Sequence, residues 1–504
     1  MKKTSTNHTS EIPGTDIQSL RKELEQLETK MRVAVQKQTT VIERLHPAQK
    51  ISALNLIRYL ALRSEDIRSL QDQLHIAGLS SLTSCESHIL RQTQACLERL
   101  GKTYSDDEIA VCDYYKGREI IQQRAEQLFG KQQDDAIPWI MVTFDTNFAD
   151  NYKLIRKLLE AGMNVARINC AHDDEETWQN MIDLVRHASE KTGLPCKIYM
   201  DIGGPKMRTR ILGKRKRRGE IRVSVNETIM FAERGSKYNS KEVVIGCDEP
   251  NVISQLKPGE RVLFDDGMIE TQVMSNRKGI AKLEVTRVSS KKSLLKTKKG
   301  INFPDSNLDL PALTKQDRKH IPFISAHADL LGYSFVRNAA GVSELQKALD
   351  AYEKRPHIIL KIETPHAVLN FPSLLIHGMQ DEVFGVMIAR GDLAVEIGFE
   401  RMSEIQEEIL WISEAAHVPV IWATQVLETL NKSGLATRAE VTDASYAAMA
   451  ECVMINKGDY IIEVLKTLID IMQRSSAHHT KKRYTFRPMQ IARDYFLAEE
   501  KVKM

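Results

Sequence analysis

Cysteine is scarce in this 504-residue chain: there are seven, an odd number, scattered without C-x-x-C spacing. That distribution argues against a disulfide framework or a cysteine-ligated zinc site and for a reducing compartment. Long apolar runs are lacking as well. No stretch approaches the roughly twenty apolar residues of a membrane-spanning helix, and Met1-Lys2-Lys3-Thr4-Ser5 leads into polar residues rather than the apolar core of a signal peptide. A cytoplasmic protein without a membrane partner is the expectation. Neither sign of charge prevails, since a formal net charge of +4 over this length gives no reason to expect nucleic acid as a partner. Two basic clusters stand out locally: residues 214–218 read as a solvated loop or the edge of a phosphate-facing lid, and His478-His479 with Lys481-Lys482-Arg483 as part of a basic tail over 476–504. Apolar residues, by contrast, make up 42% of the chain, enough for two or three domains with cores of their own.

Residues 1–131 are polar and helical in character. Ile17, Leu20, Leu24, Leu27 and Met31 recur at three- and four-residue spacing, which places them on one helix face suited to a short coiled coil or a bundle seam. Further helices are predicted over 51–62, 67–76 and 89–100, with Gly78 and Gly101 as stop signals. Such a region is either a regulatory module or a helical appendage that packs and stabilises.

From Trp139 the pattern changes to alternating β and α. Apolar β-branched runs over 140–143, 164–170, 197–202, 330–336, 358–363, 383–389, 418–424 and 453–456 read as strands buried on both faces, with helical stretches between them. Eight such strands imply an α/β fold of the TIM (β/α)8 type over 132–205 and 303–475. Over 206–302 the alternation stops. Short β-like runs at 221–225, 242–245 and 261–264, with Gly267 after Asp265-Asp266, imply a small β domain inserted after the third strand.

Several runs end abruptly in polar and charged side chains, as strand tips do where a barrel builds its active site. The second ends in Arg167, Asn169 and His172, and the third in Asp201, Lys206 and Arg208. Two guanidiniums, an amide, an imidazole, a carboxylate and an ammonium suit the gripping of phosphate and a cation. The fifth run ends Lys361-Ile362-Glu363 and the sixth Ala389-Arg390-Gly391-Asp392. Two carboxylates at neighbouring tips can supply two ligands to an octahedral Mg²⁺, whose other positions go to substrate oxygens and water. Gly391 and Asp392 open a short helix whose backbone N–H groups can receive a substrate carboxylate.

These motifs resemble those of the pyruvate kinases, which carry R-x-N-x-S-H, then D-x-x-G-P-K/E-x-R-T, D-D-G, K-G-x-N-x-P, K-I-E and R-G-D-L in this order. The resemblance covers about residues 139–472. It implies an inserted β-barrel-like lid domain and transfer of the phosphoryl group of phosphoenolpyruvate to ADP, giving pyruvate and ATP. It implies Lys361, Arg167 and Thr424 as catalytic residues, and Arg167, Asn169, Gly391, Asp392 and Thr424 as substrate-binding ones. Arg208, His172 and Lys299 fall on the nucleotide side, and Glu363 and Asp392 become ligands of Mg²⁺ or Mn²⁺. Thr437-Arg438-Ala439-Glu440 matches a T-R-A-E segment with a structural role. A C-terminal regulatory domain, and with it a sugar-phosphate effector site, is not expected after residue 475; a homo-oligomer, with a dimer favoured, is.

The chain departs from the family pattern in ways that bear on chemistry. Ala171 replaces the serine whose hydroxyl coordinates K⁺ in typical members, and Lys206 stands where glutamate accompanies K⁺ dependence. With Asn169 and Asp201 these residues mark the monovalent-cation region, and an enzyme that does not require K⁺ is expected. The first strand continues as Phe144-Asp145-Thr146-Asn147 without the usual G-P, and the loop after Asn456 lacks the S-x-E-T-A segment. Rival readings are a phosphoenolpyruvate or 2-oxo-acid enzyme with another acceptor or lyase chemistry, and a metabolite-binding scaffold without catalysis.

Overall fold

The computed structural model describes residues 16–132, 137–213, 218–239, 241–289, 294–476, 479–480 and 483–484. Most of the basic cluster at 214–218 and most of the tail from 476 lie outside them. The chain divides into two compact units, one built from residues 1–126, 378–383 and 410–419, the other from 127–377, 384–409 and 420–504. Among the described residues no helix is long and apolar enough to cross a membrane, and none of the seven cysteines is in a disulfide.

The first unit is helical. Its longest helix wholly within the unit, Ile17–Gln36, begins at Asp16, whose side chain accepts from the Gln18 N–H, and it buries Leu20, Leu24, Leu27 and Met31 as their spacing predicts. Helices Lys50–Arg63, Arg68–Ile76 and Ile89–Arg99 follow, and Gly78 and Gly101 adopt the left-handed conformation that ends a helix. Buried Asn55 binds the segments together. Its amide donates to Glu86 O at 2.7 Å and Ala415 O at 2.8 Å, and its carbonyl accepts from the Ile89 N–H at 3.2 Å. A helix over Tyr114–Phe129 has no clear stripe in the sequence. Gly117 interrupts its pattern because a Cβ there would lie 2.8 Å from Ser87 Cβ, and Arg124 occupies its buried face, donating to His417 O at 2.8 Å.

The second unit holds a closed parallel barrel of eight strands: β1 (Trp139–Thr143), β2 (Val165–Asn169), β3 (Lys197–Asp201), β4 (Leu330–Tyr333), β5 (His357–Ile362), β6 (Gly385–Ala389), β7 (Val420–Ala423) and β8 (Cys452–Ile455). β8 pairs with β1 to close the ring. Nearly every strand residue is buried, which is why the runs read as continuously apolar. Between β3 and β4 the chain forms a second sheet of seven strands with its own apolar core, including Phe231, Phe264, Val285 and Phe303. Its strand Arg261–Phe264 turns through Asp265, Asp266 and Gly267, all at positive φ, into Ile269–Arg277. The T-R-A-E segment forms a capping box, in which Thr437 and Glu440 satisfy each other's backbone N–H groups at the start of helix Arg438–Ala447.

Candidate active site

β2 and β3 pair so that Asn169 lies beside Asp201 and Arg167 beside Tyr199. The Asp201 carboxylate accepts from Arg167 Nε at 2.7 Å and from the Tyr199 hydroxyl at 2.5 Å. Arg167 also donates to Thr143 Oγ1 at 2.9 Å, which ties the tips of β1, β2 and β3 together. From β5, Lys361 Nζ donates to Ser334 Oγ at 2.7 Å and lies 3.0 Å from Glu363 and 3.6 Å from Asp201. Glu363 in turn accepts from the Phe335 N–H at 2.6 Å.

Burial and charge act against each other in this cluster. Burial disfavours the charges on Arg167 and Lys361, but Asp201 and Glu363 outweigh it and hold both basic groups above their ordinary pKa. Asp201 is held low by Arg167 and Lys361 in spite of its burial. The Glu363 carboxyl is pushed up by burial and by the charge of Asp392, against the pull of Lys361.

At the sixth strand, Asp392 lies in the first turn of helix Arg390–Ile397. Lys206 Nζ donates to both of its carboxylate oxygens, at 2.9 and 3.0 Å. At the seventh, Thr424 has φ +76°, Gln425 +59° and Leu427 +50°. A β-branched residue at positive φ is strained, and such strain gathers at functional sites. Arg390 holds this tip through donation to Ala423 O at 3.0 Å, a bond to Thr424 O and a two-pronged pair with Asp443. Gly391 lets Thr424 approach, because a Cβ there would sit 2.8 Å from Thr424 Cγ2.

The second sheet adds Arg208 and Lys299. Lys299 Nζ lies 3.0 Å from Asp265, and Arg208 donates to Lys298 O at 3.4 Å. A cavity of about 390 Å³ gathers Arg167, Asn169, His172, Lys206, Arg208 and Lys299 with Lys361, Glu363, Gly391, Asp392 and Thr424. Every residue given a catalytic, substrate, nucleotide, metal or cation role in the sequence lines this cavity except Asp201, which is buried. Burial lowers the His172 pKa, and the charges of Arg208 and Lys457 lower it further. Ser334, Phe335, Met454 and Asn456 line the cavity too and were not anticipated. Ser334 and Phe335 had a signal, since they directly follow β4 and so stand at a strand tip.

No group of three or more His, Cys, Asp or Glu side chains placed to hold a metal occurs among the described residues. Glu363 and Asp392 nevertheless suit Mg²⁺, which takes few protein carboxylates. They face one cavity, and each already carries a lysine ammonium about 3 Å away in the role of a cation.

A closed parallel barrel of eight strands, with guanidinium, ammonium and paired carboxylates around one cavity at its strand tips, defines the class as a (β/α)8 barrel protein with a charged site at those tips. A family model described as "Pyruvate kinase, barrel domain" matches residues 140–474. The chain therefore belongs to the pyruvate kinase family. It is 33% identical over 335 residues to the pyruvate kinase of Geobacillus stearothermophilus, covering 64% of this chain and 54% of the relative. It is 32% identical to that of Staphylococcus saprophyticus, covering 66% and 56%, and 33% identical to that of Leishmania mexicana, covering 63% of each. The matching part thus spans little more than half the length of the two bacterial relatives.

Proposed function

We propose that this chain moves the phosphoryl group of phosphoenolpyruvate to ADP, yielding pyruvate and ATP, with Mg²⁺ or Mn²⁺ as metal and no requirement for K⁺. Lys361 carries the reading. The residue is 7% exposed, and its ammonium is held by Ser334, Glu363 and Asp201 at the wall of a cavity that Arg167 and Thr424 also line. A fixed positive charge in a water-poor site stabilises negative charge as it develops on transferring phosphoryl oxygens. Arg167 grips the phosphate, and its partners Asp201 and Thr143 keep the guanidinium from swinging away. The N–H groups of Gly391 and Asp392 receive the carboxylate of the substrate. Thr424, aimed by its strained backbone, stands where the enolate carbon takes its proton. Glu363 and Asp392 would hold the divalent ion, whose contribution when bound is to neutralise phosphoryl and enolate oxygens.

K⁺ independence is supported by the state of Asp201, whose carboxylate is already shared among Arg167, Tyr199 and Lys361, and by the missing hydroxyl at Ala171. The test is pyruvate formation from phosphoenolpyruvate and ADP with Mg²⁺, with and without K⁺ at fixed ionic strength. Lys361→Met should reduce turnover by about a hundredfold or more. Stimulation by K⁺ would contradict the cation assignment, and turnover surviving in Lys361→Met would contradict the site.

A second reading, another acceptor or lyase chemistry, is favoured by the rim between β1 and β8. There Lys457 pairs with Asp145 at 3.3 Å, and Phe144 stacks on Phe148 with centroids 4.2 Å apart, where the usual motifs of the nucleotide side are missing. Phosphoenolpyruvate binding without turnover in ADP would select this reading.

A further inference from the structure

We infer that Lys206 is a tethered cation that occupies Asp392 in place of the divalent ion, so that the metal enters only as this ammonium lets go. The inference rests on the assignment of Glu363 and Asp392 as metal ligands made above. Each of these carboxylates has a lysine partner, but the two lysines are held differently. Lys361 cannot withdraw: its side chain is 9% exposed and fixed by Ser334, Asp201 and Glu363 together. Lys206 can. Its side chain is 30% exposed, it follows β3 on the loop leading to the strand Thr209–Gly213, and it grips Asp392 with both oxygens engaged.

Its other contact is a soft one, with the ammonium 5.9 Å from the centroid of the Phe335 ring. Phe335 also donates its backbone N–H to Glu363, so one residue touches the lysine that leaves and the carboxylate that stays. Geometry and charge together favour displacement. Lys206 engages both oxygens of Asp392, at 2.9 and 3.0 Å, so a divalent ion bound there without its release would meet a like charge and find both oxygens taken. Lys206 and Gly300 both line the cavity, so an ammonium released from Asp392 would face whatever anionic substrate the cavity holds. Lys206 thereby sets the metal affinity and couples metal entry to a new positive charge facing the substrate.

The experiment is a Mn²⁺ titration of the full chain followed by electron paramagnetic resonance of the free ion, on the wild type, Lys206→Met and Lys206→Arg. Removing a competing, partly exposed charge should tighten Mn²⁺ binding about five- to tenfold in Lys206→Met, whereas Lys206→Arg should stay near the wild type. A second readout uses acetylation by a water-soluble succinimidyl ester, quantified by peptide mass spectrometry. Saturating Mn²⁺ should raise labelling of Lys206 severalfold and leave Lys361 unlabelled. Equal Mn²⁺ affinity in wild type and Lys206→Met, or labelling of Lys206 that ignores the metal, overturns the inference while sparing the metal site. Absence of saturable Mn²⁺ binding in all three proteins overturns the metal assignment and the inference with it.

Discussion

Gly332 on β4 marks how tightly the floor of the cavity is filled. A Cβ at this position would lie 2.0 Å from the Tyr199 hydroxyl and 2.1 Å from Asp201 Oδ1. Gly332→Ala must therefore push Asp201 off Arg167 and Lys361. We expect a loss of about 3 kcal/mol in stability together with a fall in turnover, read by chemical denaturation and steady-state kinetics; a variant with both unchanged would mean the floor yields more easily than its distances imply. Glu396 gives a pH prediction. Burial pushes its carboxyl up to about 7, against a hydrogen bond from Asn302 at 2.8 Å and with help from the charge of Asp392. Unfolded, the same group ionises near 4.5. The folded state thus holds a proton that the unfolded state has lost, so this stabilisation is fully present below about 4.5, declines as pH rises and is gone above about 7. The full effect is on the order of 3 kcal/mol. Glu396→Gln should remove this slope, so urea denaturation at acidic and alkaline pH should show the wild type losing more stability than the variant. Parallel slopes would contradict the burial argument.

The residues proposed to carry the chemistry gather at the tips of the strands, and β7 shows how one tip is held. Thr424 sits at positive φ, and Arg390 binds the carbonyls of Ala423 and Thr424 while its far end is fixed by Asp443. Arg390→Lys keeps the charge but loses the fork. The tip should relax and move Thr424, lowering kcat by about a hundredfold with little change in far-UV circular dichroism; retained kcat would detach Arg390 from the reaction. Legibility in the sequence follows the same division. The eight strands were readable because burial on both faces makes each an unbroken apolar run, and their tips because charge follows such a run abruptly. The Arg390–Asp443 pair was not readable, since partners 53 residues apart share no local pattern. Lys206 could be singled out, but its engagement with Asp392, 186 residues away, needs the fold. The helix Tyr114–Phe129 was hidden because a glycine and a buried arginine break its apolar stripe for reasons that lie in other segments.

Across the whole molecule, the first 126 residues are joined to the segment that leads into β7. The carbonyls of Ala415 and His417 accept from Asn55 and Arg124, and the His417 ring meets Ser52 Oγ at 2.9 Å and Ser87 O at 2.8 Å. Groups buried this deeply cannot turn to water when a partner is lost. Asn55→Ala would strand two carbonyls and one N–H, at a cost of about 2–4 kcal/mol. Asn55 lies in the helical unit and outside the cavity. Kinetics per folded molecule should therefore stay near the wild type while the melting temperature falls, and deletion of residues 1–131 should lower folded yield more severely. Thermal unfolding and specific activity, measured together on both variants, separate packing from regulation. Unchanged melting with altered kinetics would make the helical region a regulator. A lower melting temperature with unchanged turnover makes it a stabilising scaffold.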